Sequence, residues 1–295
     1  MQQTKIVLFC ELFITCCITF ECFKIIAHAG ENHCYESNTN FINSAYASDI
    51  YFPFINKSEL GDTKFINDKL NAKNVLEIPI PFKTINSLMK YFQVYVEPYL
   101  KEGKYEGKLK GIKGHEFYCI SPKSWDSDVQ WISVNSLFTY EYFLPYFKDI
   151  GLEDVFNKII DVDNEIIVYN IFFVVRSKIK KHTWHIDFYN GTNVNAFTLL
   201  TPLQEENHVK LAYRDLNNEM KSYQYVKGTA IVFGENFMHS SNVSLIGNRE
   251  VLFCISFGTD KLQEWSVIKQ TAAVQGNHYM DPIYGYTNRT TDGPL

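Results

Sequence analysis

Between Glu165 and Gly258 the sequence places eight short apolar or alternating segments, 165–176, 183–188, 195–203, 210–215, 219–226, 229–233, 237–243 and 249–258, within about ninety residues. Turn signals at Asn190-Gly191, Asn217-Asn218, Lys227-Gly228 and Gly247-Asn248 separate several of them. Parallel strands need crossover connections of about a dozen residues or more, and that length is not free between these segments. They therefore read as antiparallel, and a double-sheet jelly roll accommodates so many short strands with few exposed edges. An aromatic content of 16% suits such packed sheets.

The residues before this region read differently. Asn74–Phe82 (NVLEIPIPF) is a short strand broken by prolines. Thr84 is placed to cap a helix through Leu88, Tyr91, Phe92 and Val96, disturbed at Pro98. Residues 101–114 are rich in Lys and Gly and read as a mobile, solvated connector. Leu137, Phe138, Tyr142, Phe143 and Phe147 recur at helical spacing up to Gly151, and LEDVFNKII makes a further short helix. The expected class is α+β: helical support over about 75–162, a jelly-roll core over about 165–260 and a helix over 261–274, together one domain from residue 30, with a mobile tail over 275–295.

Lys5 precedes an apolar stretch from Ile6 to Phe20, and Ala27-His28-Ala29 offers a small-x-small cleavage site. Residues 1–29 thus have the outline of a secretory signal peptide, with an uncleaved anchor as a second reading. Glu11, Glu21 and Lys24 fit instead an amphipathic helix of a cytoplasmic protein. Four of the seven cysteines lie in this leader; of the rest, Cys34 and Cys119 are a potential disulfide pair, and Cys254 reads as a small buried hydrophobe. Sequons stand at Asn56, Asn190, Asn242 and Asn288, about as many as chance supplies. A net charge of −5 argues against a nucleic-acid partner held by phosphate neutralisation. A membrane partner is expected only if the leader stays attached.

One cluster carries chemistry. His185 and Asp187 in WHIDF are two residues apart on an extended segment and leave the same face. His239 follows in FMHSS after several hairpins, where a rolled sheet can bring it beside them. Two imidazoles and one carboxylate on one side of a metal, with the opposite positions open, are the ligand set of non-haem Fe(II) oxygenases. Arg249, ten residues beyond His239, offers a guanidinium for a bidentate carboxylate contact. Arg176 and Asn170 share a face of the strand before the His-x-Asp pair, where they can meet a ligand or simply satisfy the core. His182 reads as solvated, and Trp184 as packed on the exterior or the rim of the barrel.

The segment over roughly 165–260 resembles the double-stranded β-helix of the Fe(II)/2-oxoglutarate-dependent dioxygenases, whose motif is His-x-Asp, a His about fifty residues later, and an Arg or Lys about ten further on. The resemblance covers about a third of the chain. It implies that His185, Asp187 and His239 bind iron and that Arg249 anchors the distal carboxylate of 2-oxoglutarate. Many members have Ser or Thr two residues after the Arg; Val251 stands here, which leaves Thr198 or Thr201 as the second contact. The implied reaction consumes dioxygen and 2-oxoglutarate, releases succinate and CO2, and hydroxylates a small-molecule or peptidyl substrate, with ascorbate as a reductant. Related halogenases have Gly or Ala where Asp187 stands. A non-catalytic cupin- or lectin-like jelly roll is the rival reading, although the chain lacks the His-x-His of metal-binding cupins.

Overall fold

The computed structural model describes residues 70–110, 112–122, 127–189, 191–192, 194–205 and 208–289. The leader, Cys34, Asn56 and Asn190 lie outside these residues, so the expected signal peptide, two of the sequons and one end of the Cys34–Cys119 pair do too. Cys119 itself is a buried free thiol. Among the described residues no helix is long and apolar enough to cross a membrane.

The strands are β1 (Val75–Pro79), β2 (Glu106–Lys110), β3 (Glu116–Ile120), β4 (Ser127–Val134), β5 (Ile167–Ile179), β6 (Ala196–Pro202), β7 (Leu211–Arg214), β8 (Met220–Tyr223), β9 (Thr229–Phe233), β10 (His239–Ser241), β11 (Glu250–Gly258), β12 (His278–Asp281) and β13 (Gly285–Asn288). The helices are α1 (Phe82–Tyr95), α2 (Leu137–Asp149), α3 (Leu152–Phe156) and α4 (Leu262–Gln275). An eight-stranded sheet has the order β1-β9-β6-β11-β5-β4-β3-β2, and a smaller sheet has the order β10-β7-β8. From β5 onward the chain alternates between them. It passes from β5 through a bridge at His185 beside β10, to β6, to β7 and β8, to β9, to β10 and back to β11. That path, with antiparallel pairing throughout, is a double-stranded β-helix, and the fold is α+β.

Strand β11 (EVLFCISFG) explains how the core divides. Its odd residues Val251, Phe253, Ile255 and Phe257 face the helices, while Leu252 and Cys254 face the smaller sheet. A strand covered on both sides reads as a continuous apolar run. On the helix side, Phe143 of α2 meets Phe173 and Phe253 at ring-centroid separations of 5.9 and 5.7 Å. Each such buried ring contributes roughly 1.5–3 kcal/mol. Between the sheets lie Phe172, Val174, Leu200, Leu252, Cys254 and Tyr225.

Three expectations are corrected. Helix α1 starts at Phe82 behind Pro81 with no side-chain cap, and Thr84 is buried within its first turn. Residues 106–110 of the Lys/Gly-rich connector are β2, the outermost strand of the larger sheet; Lys108 is exposed on it while Leu109 is buried. The tail forms the β12–β13 hairpin, with Tyr279 buried against Trp265 of α4. The sequence reading also passed over β3 and β4, which extend the larger sheet beyond β5.

Candidate metal centre

The segment 183–188 does not form a full strand; it pairs with β10 at a single bridge, His185 opposite His239. The two residues exchange both backbone hydrogen bonds, at 3.0 and 2.9 Å. Directly opposed residues project to the same face, so the imidazoles stand side by side with ring centroids 4.3 Å apart. Asp187, two residues on, joins them. The ligand atoms of His185, Asp187 and His239 all lie within 4.8 Å of one another.

Hydrogen bonding fixes which nitrogen faces the cluster. His185 Nδ1 donates to the Thr183 carbonyl at 2.9 Å and His239 Nδ1 to the Phe237 carbonyl at 3.0 Å. A carbonyl only accepts, so each Nδ1 carries a proton, and in the neutral ring Nε2 presents its lone pair to the cluster. These nitrogens stand 3.8 and 3.9 Å from one oxygen, Asp187 Oδ1. Burial, and then the neighbouring His185, hold His239 down to about 4, so its imidazole is neutral at physiological pH. Two Nε2 atoms and a carboxylate oxygen converging in this way suit a divalent ion bound at about 2.0–2.2 Å to each. The His185 side chain is 28% exposed, against 11% for Asp187 and 6% for His239, so the centre opens on the His185 side.

The other oxygen, Asp187 Oδ2, accepts from Thr198 Oγ1 at 2.7 Å and from Gln275 Nε2 at 3.4 Å. Thr198 therefore reaches the centre, as a partner of the carboxylate. Thr201 does not: it sits on the helix-facing side of β6 and donates to the Thr229 carbonyl at 3.0 Å. Arg249 is also separated from the triad. It precedes β11, is 50% exposed and reaches Glu97 at 3.5 Å. Alternation along β11 is the reason, because the residues turned between the sheets are Glu250, Leu252 and Cys254. Val251 likewise faces the helices.

The cation between the sheets is Arg176 on β5, opposite Glu250 in register and 3.5 Å from its carboxylate. Its Nη2 donates to the Val209 carbonyl at 2.5 Å and its Nη1 to Ser241 Oγ at 3.3 Å, and its guanidinium lies 4.9 Å from the Tyr225 ring centre. Glu250 in turn accepts from the backbone amides of His208 and Val209. Arg176 Nε and Tyr225 Oη are buried without a hydrogen-bond partner. Burial pushes the Tyr225 phenol up to about 12, opposed by the charge of Arg176. Cys254 feels both poles: burial and the Asp187 charge push its thiol well up, and Arg176 pulls it back. The signal for Arg176 in the sequence was its shared face with Asn170 on one strand. Asn170 itself satisfies the core, donating to the Ala272 carbonyl at 2.7 Å. His182, expected in solvent, is half-buried and stacks on Trp184, over whose ring the Arg214 guanidinium lies at 4.7 Å.

No family model matches the sequence, and no curated protein does. Solved structures with a similar fold include a prolyl-4-hydroxylase from Pseudomonas putida (12% identity, 66% of this chain and 97% of that one, TM-score 0.41). HygX from Streptomyces hygroscopicus, with nickel and 2-oxoglutarate bound, is similar at 12% identity over 72% of this chain and 90% of that one, TM-score 0.42. SnoN, a non-haem α-ketoglutarate-dependent epimerase of nogalamycin biosynthesis, is similar at 5% identity over 65% and 83%, TM-score 0.45. The likeness is one of remote fold.

Proposed function

We propose that this chain is an Fe(II)- and 2-oxoglutarate-dependent oxygenase that hydroxylates a small-molecule or peptidyl substrate. The observation that carries the reading is the convergence of two Nε2 atoms on Asp187 Oδ1, on a centre open at one side. When bound there, ferrous iron and 2-oxoglutarate supply dioxygen activation coupled to release of succinate and CO2, and oxidation of a substrate C–H bond.

The residues divide that work. His185, Asp187 and His239 hold the ion from one side and leave the other free for a chelating 2-oxo acid and for dioxygen. Arg176, in place of Arg249, receives the distal carboxylate of the co-substrate. A carboxylate there satisfies the two orphaned donors, Arg176 Nε–H and Tyr225 Oη–H, and forms charge-assisted hydrogen bonds. Leu200, Leu252 and Phe172 around that path exclude water, which strengthens those bonds. The substrate approaches past His185, the more exposed ligand.

The test is anaerobic addition of Fe(II) and then 2-oxoglutarate, read as the visible charge-transfer absorption of the chelate. Wild-type protein is expected to give the band, and His185→Ala and His239→Ala to lose it. Absence of the band and of bound iron in the wild type overturns the proposal in favour of a non-catalytic jelly-roll binder.

A further inference from the structure

Asp187 is held from behind by a helix that contributes no metal ligand. Its backbone carbonyl accepts from Thr271 Oγ1 and its Oδ2 from Gln275 Nε2 at 3.4 Å, both from α4. The same helix is tied to β5 by Asn170, which donates to the Ala272 carbonyl. Across the larger sheet, Asn170, Ser256 and Thr198 stand in one register row on three neighbouring strands. Thr198, Ser256 and Gln275 are all buried.

The protons in this row have one consistent arrangement. Thr198 gives its single hydroxyl proton to Asp187 Oδ2 at 2.7 Å, and Ser256 gives its own to Gln275 Oε1 at 2.7 Å. An amide whose oxygen faces Ser256 turns its NH2 towards the carboxylate; flipped, it would aim lone pairs at Asp187. Ser256 therefore selects the amide orientation, and two donors then engage Oδ2 and leave Oδ1 to face the imidazoles.

We propose that Thr198, Ser256 and Gln275 are a positioning clamp that keeps Asp187 bound to metal through Oδ1 alone, so that α4 sets the affinity of the centre. The proposal rests on the metal-centre reading above. Without the clamp the carboxylate rotates freely, loses its preorganised lone pair and can chelate through both oxygens, which consumes a position the co-substrate needs. Loss of an outer hydrogen-bond partner of this kind lowers metal affinity by roughly 10–100-fold.

The test uses full-length, metal-free protein titrated anaerobically with Co(II), read by visible d–d absorption, with neither 2-oxoglutarate nor substrate present. Thr198→Val is expected to bind Co(II) roughly 10–100-fold more weakly, and Gln275→Met and Ser256→Ala roughly tenfold more weakly. Thr198→Ser, which returns the hydroxyl, restores near wild-type affinity. Unfolding temperatures of the metal-free Gln275→Met and Thr198→Ser proteins stay close to wild type. If Thr198→Val does not fold, Gln275→Met decides, since Met keeps the length of the chain without its amide. Variants that fold and bind within about twofold of wild type overturn the clamp while leaving the metal centre standing. A wild type that binds no Co(II) overturns the metal centre itself, and the clamp with it.

Discussion

Arg176 and Glu250 face one another across the β5–β11 pair, Nη2 to Oε2 3.5 Å, with both side chains almost wholly buried. Arg176 is thereby the cation held between the sheets, while Arg249, one residue before Glu250, is turned to solvent. Arg176→Lys keeps the charge and loses the planar fork. It is expected to raise the 2-oxoglutarate concentration needed for half-maximal chelate absorption by roughly tenfold or more, with Fe(II) binding retained. Arg249→Ala is expected to leave that concentration unchanged. A large effect at Arg249 with none at Arg176 reverses the assignment.

Glu250 neutralises Arg176 and ties down the backbone amides of His208 and Val209. Glu250→Ala strands a buried guanidinium and is expected to cost about 3–5 kcal/mol of folding stability. Glu250→Gln keeps an acceptor for the amides and removes the competing anion. It is expected to tighten 2-oxoglutarate binding while costing less stability. Urea unfolding and chelate titration of the two variants read these effects separately; equal stability loss in both assigns the whole cost to the missing charge and none to the amide contacts.

Acidification is expected to destabilise the metal-free protein. His239 is held down to about 4 by burial and by His185, against about 6.5 in an unfolded chain. Between those values the unfolded chain binds a proton that the folded chain excludes. The contribution is full above pH ~6.5 and falls as pH drops towards 4, by about 3 kcal/mol. His115 and His278, lowered by burial, act in the same direction. Unfolding in chelator at several pH values measures the slope, and His239→Asn is expected to flatten it. An unchanged slope in that variant removes His239 as the cause.

Phe253 is fully buried between β11 and α2. Phe253→Ala is expected to lose about 3–5 kcal/mol through lost transfer energy and an unfilled cavity. Because the side chain lies on the helix side of the sheet, Co(II) affinity of the surviving folded protein is expected to stay at wild type. Denaturant midpoints and metal titration check the two halves of that statement.

The jelly roll was legible because β5 to β11 alternate or run apolar between recognisable turns, and the His-x-Asp spacing survives even where its segment is reduced to one bridge. Arg249 stands one residue away from the inward-facing positions of β11. Alternation has a period of two, so an error of one in the start of β11 exchanges the inner and outer faces, and spacing along the sequence does not reveal which parity is buried. Thr198 and Thr201 show the same limit within β6, since three residues apart means opposite faces. Strand β2 was missed because an exposed lysine such as Lys108 on an outermost strand resembles those of a solvated loop. Gln275 was invisible because its role depends on where a helix end arrives, and helical periodicity says nothing of that.

The placement of α4 has a consequence for biosynthesis. During translation His185, Asp187 and His239 all emerge ahead of the helix whose final turn donates a hydrogen bond to the Asp187 carboxylate. A nascent chain that has just completed β11 thus carries the whole triad unbraced, and the hydrogen bonds behind Asp187 form only once α4 has been made and has packed back against β5.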